Sequence, residues 1–248
     1  MRDAPVVLEG VPLRVDPAEV RAFHGYKAPL GGHSAELGPR LDAILTEVSS
    51  VVRPRVVYRT VGVTRADPNR LTLEDGTRLH IPDIGLHWGA VEAVTAALAT
   101  IGNGAEALAR GRRETGDGLG AALLDSAASA AVECLAEWMN DYLCQSGVSD
   151  GRRVTNRISP GLAGWDLAEQ ATLLGLLRAA AIGVRLGADG SMSPEKSISF
   201  LVGIGRVARV DHYFVQCRRC WAEGCPARRM PAVGSVNLIA KGAVGGGR

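Results

Sequence analysis

A run of 26 residues without glycine or proline, from Ala121 to Ser146, is the feature that most constrains the fold of this 248-residue chain. A helix over this run would be about 39 Å long. Apolar residues recur along it at helical spacing, which predicts a buried face; they are Leu119, Leu123, Ala127, Ala130, Cys134, Trp138 and Tyr142. We expect this helix to lie across a sheet. The residues expected to contact the sheet are Leu123, Ala130, Cys134 and Trp138.

Composition and charge narrow the class of protein. Hydrophobic residues make up 46% of the chain and charged residues 22%, which is typical of a globular protein. The net charge of +2 provides no field that favours nucleic acid. Four acidic residues interrupt the long helix, no uncharged apolar window reaches membrane-spanning length, and the N-terminus lacks the apolar run of a signal peptide. We therefore expect a cytoplasmic protein.

The remaining elements come in blocks. The segment Val56–Val63 has strand composition, and Asp75-Gly76 between short alternating runs predicts a hairpin. The segment Leu167–Ala181 has the pattern of an amphipathic helix, and Ile198–Val207 that of a strand. Strands and helices in separate blocks indicate an α+β fold, with a central, mostly antiparallel sheet and flanking helices.

One glycine motif is rejected as a nucleotide site. Gly203-Ile204-Gly205-Arg206-Val207-Ala208 matches G-x-G-x-x-A formally. A dinucleotide site requires that the second part of the motif opens a helix, whereas the residues that follow here have strand character. We therefore interpret the glycines as part of a strand.

The segment Ser159-Pro160-Gly161 predicts a tight turn, because proline disfavours the α conformation at its predecessor and glycine tolerates positive φ. Arg157 stands just before the turn and could bind a carboxylate or a phosphate. Asp166 is a candidate cap for the helix that follows. The alternative is a plain strand-to-helix connection that carries a surface arginine.

Three segments in order resemble a known family. The chain reads R-x-S-P-G-x-x-x-W-x-L-x-x-Q from Arg157, I-G-V from Ile182 and M-x-P-x-K-S-x-S from Met192. This set resembles the activation domain of cobalamin-dependent methionine synthase, and more closely the stand-alone proteins that carry this domain alone. The resemblance is strongest over residues 115–205. It also implies a central strand at Val91–Ile101, where the pattern alone leaves helix and strand open.

The resemblance implies a function for the turn. In the family, S-adenosylmethionine binds there, so Arg157 would pair with the methionyl carboxylate, and the backbone of Pro160, Gly161 and Leu162 would lie along the ligand. The expected role is that of an accessory protein for a corrinoid-dependent methyltransferase. It would support reductive reactivation of cobalamin carried on that partner, which needs one electron and a methyl group from S-adenosylmethionine.

Two positions depart from the family pattern. Leu162 stands where tyrosine is usual, and Ser129 stands where the methionine synthase domain has an acidic ligand. These departures predict weak binding of S-adenosylmethionine, or none.

The C-terminal segment carries a second candidate site, because Cys217, Cys220 and Cys225 form C-x2-C-x4-C. Thiolates at this spacing could bind zinc or an iron–sulfur cluster, with Cys144 or His212 as a further ligand. Thiol redox chemistry and plain reduced thiols remain alternatives. We therefore divide the chain into an activation-domain-like part, residues 1–212, and a cysteine cluster with a flexible tail, residues 213–248. Two other functions stay open: a redox protein that uses this cluster, and a subunit that only supplies an interaction surface.

Overall fold

The computed structural model describes residues 4–21, 34–162 and 164–209. Residues 17–21 are helical. The other helices in these ranges are α1 (Ser34–Val51), α2 (Ile84–Trp88), α3 (Gly104–Glu114), α4 (Gly118–Ser149) and α5 (Glu169–Gly175), followed by a 3-10 helix over Ala179–Ile182. The strands are β1 (Val6–Glu9), β2 (Arg55–Asp67), β3 (Arg70–Leu73), β4 (Arg78–His80), β5 (Ala93–Thr100), β6 (Arg153–Val154), β7 (Arg185–Leu186), β8 (Met192–Ser193) and β9 (Ser197–Gly205).

Seven of these strands form one antiparallel sheet in the order β4-β3-β2-β5-β9-β6, with β1 added along β2. Strand β2 is long enough to pair with different strands along its two halves. Its first half pairs with β1 and β5, and from Val63 onwards it pairs with β3, with an irregularity between Val63 and Arg65. Strands β7 and β8 form a separate two-stranded sheet. The predicted α+β class and the mostly antiparallel sheet are confirmed.

The burial of strand β5 explains why its sequence pattern left helix and strand open. All eight of its residues are buried, so it shows no alternation between polar and apolar positions. Val94, Ala96 and Leu98 belong to a core cluster on one face of the sheet, while Ala93, Ala97 and Ala99 belong to a cluster on the other. The central strand expected at Val91–Ile101 is present.

Helix α4 contains the whole glycine-free run and extends it at both ends. It is long and apolar enough to cross a membrane by length and composition, as no other helix in the described ranges is, but 67% of its apolar window is buried inside the protein. It is therefore a core helix. The residues that bury it against the sheet are Ala128, Ala131, Val132, Leu135, Ala136, Met139 and Leu143.

Most of the α4 residues that the pattern predicted to contact the sheet do not contact it. Leu123 and Ala130 pack in a cluster with α1 and α3 rather than on the sheet. Cys134 is half-buried and accepts a backbone hydrogen bond from Asp16. Trp138 does pack at the edge of the sheet-facing cluster. The pattern marked the wrong face because α4 is buried on two sides, so that apolar spacing alone does not identify which side meets the sheet.

The predicted helix over Leu167–Ala181 is interrupted. Helix α5 ends at Gly175, residues 176–178 are not helical, and a 3-10 turn follows over Ala179–Ile182. Glycine near the break is a weak helix former. Asp166 is not the cap of this helix, whose N-cap is Ala168 without a side-chain cap hydrogen bond. Asp166 Oδ1 accepts a hydrogen bond from the Ala168 N–H at 2.9 Å in the turn before the helix. Helix α5 covers the sheet face opposite α4.

Gly203 and Gly205 lie inside β9, paired with β5 and β6. A methyl group on Gly203 would come within 2.6 Å of Val91 Cγ1 and 2.7 Å of Trp88 Cε3. These glycines permit close packing of neighbouring segments and open no helix, as the sequence interpretation expected.

Candidate functional site

The turn after Arg157 is fixed to the central sheet on its entry side. Ile158 and Leu201 of β9 exchange both backbone hydrogen bonds, at 3.0 and 2.8 Å. The turn then closes on itself, since the Gly161 N–H donates to the Trp165 carbonyl at 2.7 Å. Gly161 has φ +82°, a conformation that favours glycine. Leu162 is 41% exposed at the tip.

Arg157 is buried at 5% exposure, so the alternative of a surface arginine is wrong. Its Nη2 donates to Glu133 Oε1 on α4 in a buried ion pair. Its guanidinium also lies 5.8 Å from the centroid of the Phe200 ring, within range of a cation–π contact. The guanidinium is therefore oriented by a helix on one side and by the central sheet on another.

A second cation lies along the same face of α4. The Lys196 ammonium forms an ion pair with Asp125 at 2.6 Å and a hydrogen bond to Ser129 Oγ at 3.2 Å. Asp125, Ser129 and Glu133 are spaced four residues apart and so form one stripe on the helix. We call Asp125, Ser129, Glu133, Arg157 and Lys196 the polar cluster.

The connection between β7 and β8 packs against the turn. Leu167 lies in the space beside Gly161 and Gly190, where an added methyl group would approach its side chain to 3.4 and 3.3 Å. Gln170 Nε2 donates to the Gly190 carbonyl at 2.7 Å, and its Oε1 accepts from Ser199 Oγ at 3.2 Å. The turn, the β7–β8 connection and β9 are thus held together through Leu167 and Gln170.

Part of this arrangement was predictable from the sequence. Arg157, Pro160, Gly161 and Leu162 do form one turn. The sequence led to no site role for Asp125, Glu133 or Lys196. The four-residue spacing of Asp125, Ser129 and Glu133 was the signal that could have identified the stripe.

The predicted metal ligands Cys217, Cys220 and Cys225 lie outside the described residues, and so does His212. Within the described ranges, no group of three or more His, Cys, Asp or Glu side chains could hold a metal ion. Cys144 is half-buried on α4, and burial raises the pKa of its thiol. A raised pKa disfavours the thiolate that a metal requires.

Comparison with solved structures identifies a known fold that this chain shares. No protein-family model matches the chain, and no curated protein matches it. Among solved structures, it is similar to a crystal structure of the MetH reactivation domain bound to AdoHcy, with a TM-score of 0.57 and 15% sequence identity. The similarity covers 86% of this chain and 81% of that chain. The described part of the chain therefore has the fold of a methionine synthase reactivation domain, as the motifs predicted.

Proposed function

We propose that the chain is a cytoplasmic S-adenosylmethionine-binding accessory protein for a corrinoid-dependent methyltransferase of the methionine synthase type. It would support reductive reactivation of the cobalamin on that partner. The proposal extends over residues 1–212, and the role of the C-terminal cysteines stays a prediction from the sequence.

The observation that carries the proposal is the position of Arg157. A buried guanidinium stands next to a Pro-Gly turn in a fold that also occurs in a domain bound to AdoHcy. AdoHcy and S-adenosylmethionine share a methionyl-type carboxylate and ammonium, and arginine is the side chain best suited to a carboxylate. The motif residues and the fold similarity thus point to the same ligand class.

The residues present fit such a ligand. Gly161 adopts positive φ and so permits the tight turn whose backbone would lie along the ligand. Leu162 is exposed at the tip of the turn and would supply an apolar contact in place of an aromatic ring. Ser129 supplies a hydroxyl rather than a carboxylate, and that hydroxyl is bonded to Lys196.

In this function the chain binds and orients, and the reactive cobalt belongs to the partner. S-adenosylmethionine supplies the methyl group, and a separate reductant supplies the electron. Arg157 would hold the carboxylate, while Glu133 and Phe200 keep the guanidinium in place. Fixing the ligand in this way lowers the entropy cost of methyl transfer to a docked partner.

Calorimetric titration of S-adenosylmethionine into wild type and Arg157→Gln tests the site. A charge-assisted hydrogen-bonded contact is worth about 1.5–3 kcal/mol, so we expect binding to weaken about 10- to 150-fold. Arg206→Gln is the matched control, because the Arg206 side chain is 78% exposed. We expect this variant to bind S-adenosylmethionine as the wild type does.

Glu133→Gln separates ligand binding from loss of the ion pair. Both Arg157→Gln and Glu133→Gln break the buried pair and should lower the melting temperature, but only the first removes the cation that would hold the carboxylate. We expect Glu133→Gln to retain most of the affinity. Wild-type protein that binds no S-adenosylmethionine at millimolar concentration would overturn the proposed function.

A further inference from the structure

We propose that Gln170 is a positioning residue for the candidate ligand site. Through Gly190 and Leu167 it holds the turn at Gly161 in the conformation that receives S-adenosylmethionine, and it need not touch the ligand to do so. The inference rests on the proposed function. It adds the β7–β8 connection, residues 187–191, to the parts of the chain that set the ligand affinity.

The side chain of Gln170 bridges the β7–β8 connection and the central sheet. It is buried at 5% exposure, with its Nε2 bonded to the Gly190 carbonyl at 2.7 Å and its Oε1 to Ser199 Oγ at 3.2 Å. Ser199 is itself buried on β9, which pairs with β5 and β6. A buried amide that is bonded at both ends is costly to detach, because its partners would be left unsatisfied. The bridge therefore fixes the connection to the sheet.

The β7–β8 connection has a defined shape of its own. The Gly187 N–H donates to the Ser191 carbonyl at 2.7 Å, and the Gly190 N–H donates to the Gly187 carbonyl at 3.1 Å. Asp189 Oδ1 accepts from both the N–H and the Oγ of Ser191, at 3.0 and 2.6 Å. Since these bonds close the connection on itself, holding Gly190 through Gln170 positions the connection as a unit.

Leu167 carries this position to the turn. Gly161 and Gly190 both have positive φ, +82° and +81°, and a methyl group added to them would approach the Leu167 side chain to 3.4 and 3.3 Å. The Gln170 N–H also donates to the Leu167 carbonyl at 2.9 Å, so both residues belong to one short turn. Loss of the bond to Gly190 would loosen the packing around Leu167 and with it the turn. A less ordered site binds more weakly, because the ligand must then order it.

Amide hydrogen exchange, measured residue by residue by NMR, tests the coupling. Gln170→Met keeps the length of the side chain but removes both of its hydrogen bonds. We expect the amides of Gly190 and Gly161 to exchange about 3- to 10-fold faster, which is the effect of one neutral hydrogen bond. The Gly161 amide reports on the turn because it donates to the Trp165 carbonyl. Thr95→Val is the matched control, since it removes a buried side-chain hydrogen bond between β2 and β5 and should leave both rates unchanged.

Calorimetric titration of S-adenosylmethionine into the same variants tests the effect on the site. Gln170→Met and Leu167→Ala should each weaken binding about 3- to 10-fold, because the turn is less preorganised. Leu167→Met conserves the volume between the two glycines and should bind as the wild type does. Thr95→Val should also bind as the wild type does, which separates positioning from a general loss of stability.

Three results would overturn the inference. Faster exchange at Gly190 without faster exchange at Gly161 would show that the connection and the turn are not coupled. An equal acceleration at the Leu98 amide, in the middle of β5, would show that Gln170 supports only the fold as a whole. Faster exchange at both glycines with unchanged affinity would show that Gln170 does not position the site, while the proposed function stood. Wild-type protein that binds no S-adenosylmethionine would instead remove the proposed function, and this inference with it.

Discussion

Arg157 and Cys134 show at the scale of single residues how burial decides chemistry. Both residue types are reactive or binding groups in general, but their surroundings differ. Arg157 is buried beside a carboxylate and an aromatic ring, which fix the direction of its guanidinium. Cys134 is half-buried on α4 beside acidic side chains, which disfavours its charged form.

We expect the Cys134 thiol to be nearly inert at neutral pH. Burial, reinforced by the charge of Glu137, raises its pKa from 9.0 to about 11. Because the thiolate is the reactive form, alkylation by iodoacetamide at pH 8 should be at least tenfold slower in the native protein than in urea. Mass spectrometry of the peptide that contains Cys134 measures this rate separately from the other thiols.

The raised pKa of Cys134 also predicts how its contribution to stability depends on pH. The folded pKa is raised, so the contribution of the neutral thiol to stability is present below pH 9.0 and is lost as pH rises towards about 11. The native alkylation rate should rise over the same range. Equal native and denatured rates at pH 8 would contradict the assigned burial.

At the scale of elements, β9 is the strand on which the site depends. It pairs with β5 along its whole length, receives β6 and the bridge from Ile158, and carries Phe200 beneath Arg157. Its glycines are part of this role, since Gly203 lies against Val91, Trp88 and Thr155.

Gly203→Ala should lower the free energy of unfolding by about 1–3 kcal/mol, the usual cost of overpacking a filled core. The added methyl group would come within 2.6 Å of Val91 Cγ1 and 2.7 Å of Trp88 Cε3. Urea denaturation followed by circular dichroism measures the change.

Gly111→Ala is the matched control for this substitution. Gly111 lies in α3 with no other atom within 4 Å of an added methyl group, so alanine should stabilise the protein by about 0.5–1 kcal/mol. A neutral effect of Gly203→Ala would show that β9 has more room than the packing indicates.

At the scale of the whole molecule, surface carboxylates link stability to pH. Hydrogen bonds from Arg65 and Arg70 lower the pKa of Asp67 below its ordinary 3.8. The Gly120 backbone N–H does the same for Asp117, and the Ser191 hydroxyl for Asp189. Lowered pKa values mean that this stability is present above pH 3.8 and is lost as pH falls through the folded values.

We therefore expect the urea midpoint to decrease progressively as pH falls below about 4. Asp67 and Asp117 are only partly buried, so water and salt screen their ion pairs, and 1 M salt should reduce the decrease. Asp117→Asn should reduce it as well and should cost some stability at neutral pH. Asparagine keeps the Oδ1 that accepts from the Gly120 N–H, but it lacks the charge that pairs with Arg112 at 2.7 Å. A midpoint that stays constant from pH 6 to pH 3 would contradict this prediction.

The local elements were readable from the sequence because local rules control them. A run without glycine or proline can form one helix, so α4 was predictable nearly to its ends. The Pro-Gly turn, the hairpin at Asp75-Gly76 and the strand character of Gly203–Gly205 likewise follow from backbone preferences of a few residues. The ordered motifs then indicated the fold, which the structural comparison confirmed.

Only the tertiary structure decided which charges meet. Arg157 and Glu133 are 24 residues apart, and Lys196 and Ser129 are 67 apart, so no local pattern pairs them. The pairing depends on α4 crossing the sheet beside β9, and an apolar pattern on a helix buried on two sides does not specify that orientation. Sequence therefore determined the elements and the fold class, whereas the burial of Arg157 and the ion pair between Lys196 and Asp125 arise from long-range packing.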